Sequence, residues 1–272
     1  MVRGKSLLLA VVLLFAVIAV LMVFSRWPAR SSASNGDAPV TKQPVIVELF
    51  TSEGCSSCPP ADELLKKLSD EQPLENIEIL ALEEHVDYWN SLGWRDPYSS
   101  ADFSRRQEQY AVTLPEGGVY TPQMIVDGAA QFVGNRTHEA RDQIRWAAAH
   151  RKAQLQVKEL ANEGDSNARK RRFEVQLAAG ESVPATKQAL WIAVTEKNLS
   201  SNVTAGENSG EFLKHAPVVR LLRLEKSTVS GSAAIPISVE VNDKWNPANL
   251  TLVAFQADAK SHQITAAGSV GF

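Results

Sequence analysis

The chain has two cysteines, Cys55 and Cys58, set three positions apart in Val-Glu-Leu-Phe-Thr-Ser-Glu-Gly-Cys-Ser-Ser-Cys-Pro-Pro-Ala-Asp. A bridge closing so short a loop removes little freedom from the unfolded chain, so the spacing reads as redox chemistry before structural cross-linking. A thiol attacks a disulfide only as the thiolate, and a helix N-terminus lowers a thiol pKa because its unsatisfied N–H groups favour negative charge. An apolar run before the pair and Pro59-Pro60 behind it predict strand, Cys-x-x-Cys, helix. On this reading Cys55 at the helix start attacks, and Cys58, one turn further in and less exposed, resolves the mixed disulfide.

A second group is His85-Val86-Asp87-Tyr88-Trp89, which follows another apolar run. The ends of the two runs are expected side by side, so His85 either assists thiol ionisation, joins the thiolates on a metal, or pins a long loop together with Asp87, Trp89 and Trp94. Two thiolates and an imidazole, Cys55, Cys58 and His85, suit Cu(I). A closed zinc site wants four ligands, and His138, His150, His215 and His262 are scattered. Glu83, Glu84 and Asp87 have no partner motif for paired acid–base catalysis and read as a solvated strand end. Gly206-Glu207-Asn208-Ser209-Gly210 reads as a turn between strands or a binding loop.

The elements that must position these groups follow from hydrophobic periodicity. Strands are expected at 45–50, 77–82, 123–128 and around 131–133, and helices at about 59–69, 99–111 and 135–152, giving β-α-β-α-β-β-α. From residue 154 the pattern changes to period two, with Leu155/Val157, Phe173/Val175/Leu177, Leu190/Ile192/Val194, Val219/Leu221, Ile235/Ile237/Val239 and Leu250/Leu252. That predicts an all-β half, most simply a sandwich.

The uninterrupted apolar run Leu7–Phe24, with basic residues on both flanks, predicts a membrane segment in residues 1–25, as an uncleaved anchor or a cleaved signal. Residues 26–43 are polar and Pro/Ser/Asn/Gly-bearing, as a linker is. The body is therefore expected outside the cytoplasm: periplasmic or cell-exterior if anchored, secreted if cleaved. A length of 272 residues, 44% hydrophobic and 22% charged, is enough to bury a core. The net charge of −3 gives no footprint for nucleic acid, and phosphate-loop, dinucleotide and nucleophile-elbow motifs are absent from the sequence.

Strand, Cys-x-x-Cys and helix followed by Thr121-Pro122 before a strand resemble the thioredoxin superfamily over residues 44 to 152. The resemblance implies a cis Pro122, contact between Thr121 and Cys55, and Glu48 as the buried carboxylate that exchanges a proton with the resolving thiol. The longer motifs, with His85-Val86-Asp87-Tyr88-Trp89, Leu92-Gly93-Trp94, Tyr120-Thr121-Pro122-Gln123-Met124 and Gly206–Gly210, resemble a bacterial family of secreted thioredoxin-like proteins catalogued as domain of unknown function 1223.

The sequence thus predicts an α/β thioredoxin-like domain at 44–153 followed by an all-β, sandwich-like domain at 154–272. Its expected work is thiol–disulfide exchange with protein thiols, through the Cys55–Cys58 pair and without another cofactor. The alternatives are a Cu(I) carrier and a scaffold whose disulfide is permanent and whose β half binds a partner.

Overall fold

In the computed structural model the described residues are 42–115, 117–161, 169–229 and 233–272. The expected membrane segment Leu7–Phe24 and almost all of the linker lie outside them. No helix among the described residues is long and apolar enough to cross a membrane.

The first strand, β1 (Gln43–Thr51), is rich in β-branched and aromatic residues and is buried along nearly its whole length. It pairs in parallel with β2 (Ile77–His85), in a register that sets Leu49 opposite Glu83 and Thr51 opposite His85. Between them runs α1 (Pro59–Glu71), which opens on two prolines where helix N–H groups have no partner in any case. It buries Ala61, Leu64, Leu65 and Leu68 against the sheet and ends at Gln72, whose φ of 45° is left-handed. Then come α2 (Ala101–Thr113), capped by Ser100 accepting from the Asp102 N–H, the hairpin β3 (Gln123–Val126) and β4 (Ala130–Val133), and α3 (Thr137–Ala149).

Strand alternation divides this region into two faces. Val45, Val47 and Leu49 of β1 pack with Ile77, Ile79 and Ala81 of β2 in one core with α1 and α3. Ile46, Leu80 and Leu82 pack on the other face with Phe103 of α2. The consequence for the site is parity: Thr51, Glu83 and His85 share the α1 face, whereas Glu48 and Glu84 share the α2 face.

The second half forms β5 (Ala153–Leu160), β6 (Lys170–Leu177), β7 (Gln188–Glu196), β10 (Val218–Val229), β11 (Ile235–Glu240), β12 (Leu250–Asp258) and β13 (Ile264–Gly271). A small separate hairpin is made by β8 (Ser200–Asn202) and β9 (Phe212–Lys214). Here the expected architecture is corrected. The chain does not form a thioredoxin-like α/β domain followed by a separate β-sandwich; it forms one mixed sheet of 11 strands in the order β11-β6-β5-β13-β12-β7-β10-β2-β1-β3-β4, with three α-helices among the described residues. The join is at β2, whose free edge accepts β10 in parallel, with Val218 opposite Glu83.

The physical reason is that period two specifies a strand and its faces but not its neighbour. Ala193, Val219, Val253 and Phe255 of the second half pack in the same core as Ile46, Leu82 and Phe103 of the first. Beyond that shared core, residues of β5, β6 and β11 pack with residues of β7, β12 and β13, so the sheet curls to enclose its far end.

Candidate functional site

Cys55 and Cys58 are joined in a disulfide at the C-terminal end of β1 and the start of α1. Cys58, not Cys55, is the helix N-cap, and the Ala61 and Asp62 N–H groups donate to its carbonyl. Cys55 lies in the preceding turn, where its N–H donates to Ser52 O and its carbonyl accepts from Cys58 N–H. Both cysteines are buried, Cys55 at 1% exposure and Cys58 at 0%, so the expected contrast in exposure is not present. Ser56 and Ser57 between them are exposed.

The Thr121–Pro122 peptide bond is cis. Thr121 Oγ1 donates to Cys55 Sγ at 3.4 Å, and the Trp89 indole N–H donates to Thr121 Oγ1 at 2.9 Å. On the other side Ser57 Oγ stands 3.3 Å from Cys55 Sγ.

The loop 206–210 closes over this turn from the far half of the chain. Asn208, itself buried, donates from Nδ2 to Glu53 O at 2.8 Å and to Cys55 O at 3.0 Å. Glu207 accepts from Ser56 N–H at 3.0 Å. Gly206 must be a glycine because its φ is +74° and a Cβ there would stand 3.0 Å from Trp94 Cβ. The motifs Gly-Glu-Asn-Ser-Gly and Leu-Gly-Trp thus hold each other and the disulfide turn.

The remaining expected site residues divide by face. Glu48 is fully buried but lies on the α2 side, where it accepts from Arg106 Nε and the Tyr110 hydroxyl. The structure does not bring it to the cysteines. His85 is on the disulfide's side but turns to carboxylates: its Nδ1 is 2.7 Å from Asp96 Oδ2, and its Nε2 is 3.3 Å from Glu83 Oε1.

His215, which sequence spacing leaves scattered, joins it. Its Nε2 is 3.0 Å from Glu53 Oε1 and its Nδ1 is 3.2 Å from Glu83 Oε1. Tyr98 packs edge-on against both imidazoles. Glu53 also accepts from the Trp94 indole at 2.7 Å, and its N–H donates to Asp96 Oδ2 at 2.8 Å. Glu83 and Glu84, expected at a solvated strand end, are fully buried: β10 joins the edge of β2 beside them, Glu83 packs with the two histidines on the α1 face and Glu84 lies near Arg106 on the α2 face.

The charges follow from this packing. Burial opposes charging His85, but Asp96 and then Glu83 outweigh it and raise its pKa well above that of a free imidazole. His215 is pushed up to about 9 in the same way, burial being overcome by Glu53 and Glu83. Burial works against the Glu83 carboxylate too, yet the two imidazoles hold it below its ordinary value.

Asp62, one turn into α1 from Cys58, accepts from the Thr51 hydroxyl at 2.6 Å. Burial, reinforced by the Glu83 charge, pushes its pKa to about 8. Asp62 was missing from the sequence reading although its i+4 spacing from Cys58 puts both on one helix face.

Fold and site define a mixed-sheet protein in which one half of the chain carries a Cys-Ser-Ser-Cys disulfide and the other half clasps it. The chain belongs to the family described as protein of unknown function (DUF1223), whose model matches residues 46–256. It is similar to a crystal structure, protein AGR_C_4864 of Agrobacterium tumefaciens, at 25% identity and a TM-score of 0.61, covering 83% of this chain and 93% of that one. It also shares a fold with HBP35 of Porphyromonas gingivalis, at 15% identity and a TM-score of 0.57, covering 85% of this chain and 76% of that one. No curated protein matches it.

Proposed function

We propose that this protein is an extracytoplasmic thiol–disulfide oxidoreductase acting on protein thiols. The observation that carries the reading is the convergence on one sulfur: Cys55 Sγ, bonded to the N-cap cysteine of α1, is met by the Thr121 hydroxyl from the cis Thr121–Pro122 loop.

In the oxidising direction a partner thiolate attacks Cys55 Sγ and the Cys55–Cys58 bond breaks. Cys58 leaves as a thiolate at the first turn of α1, where helix N–H groups stabilise negative charge. A second partner thiolate then attacks its own sulfur in the mixed disulfide and releases Cys55. The partner dithiol has lost two electrons and the Cys55–Cys58 pair has gained them. The reverse sequence, with Cys55 attacking and Cys58 resolving, reduces a partner disulfide. Thr121-Pro122 would lie alongside the partner's extended chain, and Asp62, protonated at neutral pH, stands one turn from Cys58 to give or take its proton. Glu48, ion-paired on the opposite face, has no part in this scheme.

The location rests on the apolar segment Leu7–Phe24, as anchor or cleaved signal, and fits a compartment where disulfides persist. The test is a trapping variant. Cys58→Ser is expected to hold a partner, or a model disulfide peptide, as a mixed disulfide through Cys55, and Cys55→Ser,Cys58→Ser to hold none. A Cys58→Ser protein that folds yet forms no mixed disulfide with peptide or partner would end this reading.

A further inference from the structure

Beside the disulfide, and independent of it, lies a group of side chains with a different chemistry. Glu83 and His85 from β2 and His215 from the segment between β9 and β10 present donor atoms that all fall within 4.8 Å of one another, and all three are buried. Two atoms in the group have no hydrogen-bond partner: Glu83 Oε2 and His85 Nε2, the latter 3.3 Å from Glu83 Oε1 but out of hydrogen-bond alignment. Desolvated polar atoms without a bond are costly. The equally unpartnered Glu84 oxygens on the other face have the Arg106 cation beside them, whereas among the described residues the ion pairs of Glu83 and His85 include no arginine or lysine, and a bound cation would fill that part.

The outer nitrogens of both rings answer what that is. His85 Nδ1 faces Asp96 Oδ2 at 2.7 Å, and His215 Nε2 faces Glu53 Oε1 at 3.0 Å. Each imidazole therefore has a carboxylate to hold one N–H on the side away from Glu83, so that on binding a cation only the inward nitrogen, His85 Nε2 or His215 Nδ1, has to give up its proton. A carboxylate behind a histidine behind a cation is the arrangement that orients metal-ligating imidazoles and raises their basicity. Those carboxylates are anchored in turn: Glu53 by the Trp94 indole at 2.7 Å, and Asp96 by the Glu53 N–H at 2.8 Å.

Two of the three spacings agree. Glu83 Oε1 is 3.3 Å from His85 Nε2 and 3.2 Å from His215 Nδ1, and the two imidazoles offer donors within the 4.8 Å that spans the group. Zinc bonds of about 2.0–2.1 Å at tetrahedral angles put neighbouring donors about 3.3–3.4 Å apart. Two imidazoles and a carboxylate with no sulfur select a borderline divalent ion over Cu(I).

We infer that His85 Nε2, His215 Nδ1 and Glu83 form a binding site for a divalent transition-metal ion, Zn²⁺ by its donor set, with Asp96 and Glu53 orienting the two histidines. The fourth position falls to Glu83 Oε2 or a water. The ion's place in the fold is structural. It ties the strand β2 to the segment leading into β10, where the two halves of the sheet join. Through Glu53 it also fixes the backbone two residues before Cys55.

Cobalt substitution tests this. The full chain, purified in detergent, is unfolded with chelator and refolded with Co²⁺. The expected result is one Co²⁺ per chain, with the visible bands of a four- or five-coordinate nitrogen/oxygen site and no thiolate-to-cobalt charge-transfer band. Zn²⁺ should displace it. Cys55→Ser,Cys58→Ser should keep the spectrum, His215→Asn should lose it, and Asp96→Asn should weaken binding about 10–100-fold. A refolded wild type that takes up no Co²⁺, or a spectrum that disappears with the cysteines, overturns the site. Should His215→Asn fail to fold, the wild-type stoichiometry and the double-cysteine spectrum decide the matter by themselves.

Discussion

Two buried polar clusters sit back to back on β1 and β2, and they are neutralised by different means. On the α2 face, Glu48 pairs with Arg106, whose guanidinium also stacks over Tyr110, Trp191 and Phe255, while Glu84, 3.8 Å from the same Arg106, has its pKa pushed well up by burial and then by Glu48. On the α1 face, Glu53, Glu83 and Asp96 are met by two histidines. An arginine keeps its charge under all conditions a folded protein meets, so the first cluster is a fixed element of packing. Imidazoles can give up their protons to a cation, so the second is exchangeable, and it is the one adjoining the disulfide. Similar residue types serve as cement on one side and as a candidate site on the other, and the cation decides which.

The sharpest way to break this contrast is Arg106→Met. It leaves Glu48 and Glu84 buried without their cation and is expected to cost about 3–5 kcal/mol in urea unfolding, whether or not metal is present. Next comes metal itself. Zn²⁺ at about 100 times its Kd should stabilise the wild type by about 2.7 kcal/mol, and should leave His215→Asn unmoved. An equal response in both proteins would place the binding elsewhere.

Reducing the Cys55–Cys58 bond should cost roughly 2 kcal/mol by loop-closure entropy, a modest loss that leaves the reduced protein folded and competent for exchange. Urea unfolding followed by circular dichroism, with and without reductant, reads both the loss and the persistence of the fold. Asp127 is a carboxylate between these cases, with Lys152 close by at 2.6 Å and yet pushed up to about 6. Its burial outweighs Lys152 and the Ile46 N–H, and Glu48 adds to the rise. A carboxyl whose folded pKa is raised contributes stability that is fully present below its unfolded value near 3.8 and is lost as pH climbs through 6. The difference in stability between wild type and Asp127→Asn should therefore shift with pH in that window, by no more than about 1.4 kcal/mol per pH unit, and hold constant above it.

Much of the first half was legible because each element carried its own signal: Pro59-Pro60 opened α1, Asp127-Gly128 closed β3, and the apolar runs placed β1 and β2. What could not be read was partnership across long separations. Glu48 was assigned to the cysteines by resemblance, but its even position puts it with Ile46 on the α2 face, a matter of parity once Val45, Val47 and Leu49 face α1. His215 looked isolated because its partners are more than a hundred residues away.

The second half gave its strands but not their sheet, and β13 escaped notice because Ala266, Ala267 and Gly268 carry little hydrophobic signal. Small residues are needed there. A Cβ on Gly268 would stand 2.0 Å from the Leu155 carbonyl oxygen, where β13 runs beside β5.

The measurement that bears most directly on the proposed function is a redox titration of Cys55 and Cys58 in glutathione or dithiothreitol buffers, read by alkylation and mass. A thiol–disulfide oxidoreductase should interconvert reversibly as a two-electron couple between about −120 and −270 mV, the span of known exchange proteins. A pair that stays oxidised to below about −300 mV, as structural disulfides do, would contradict the account.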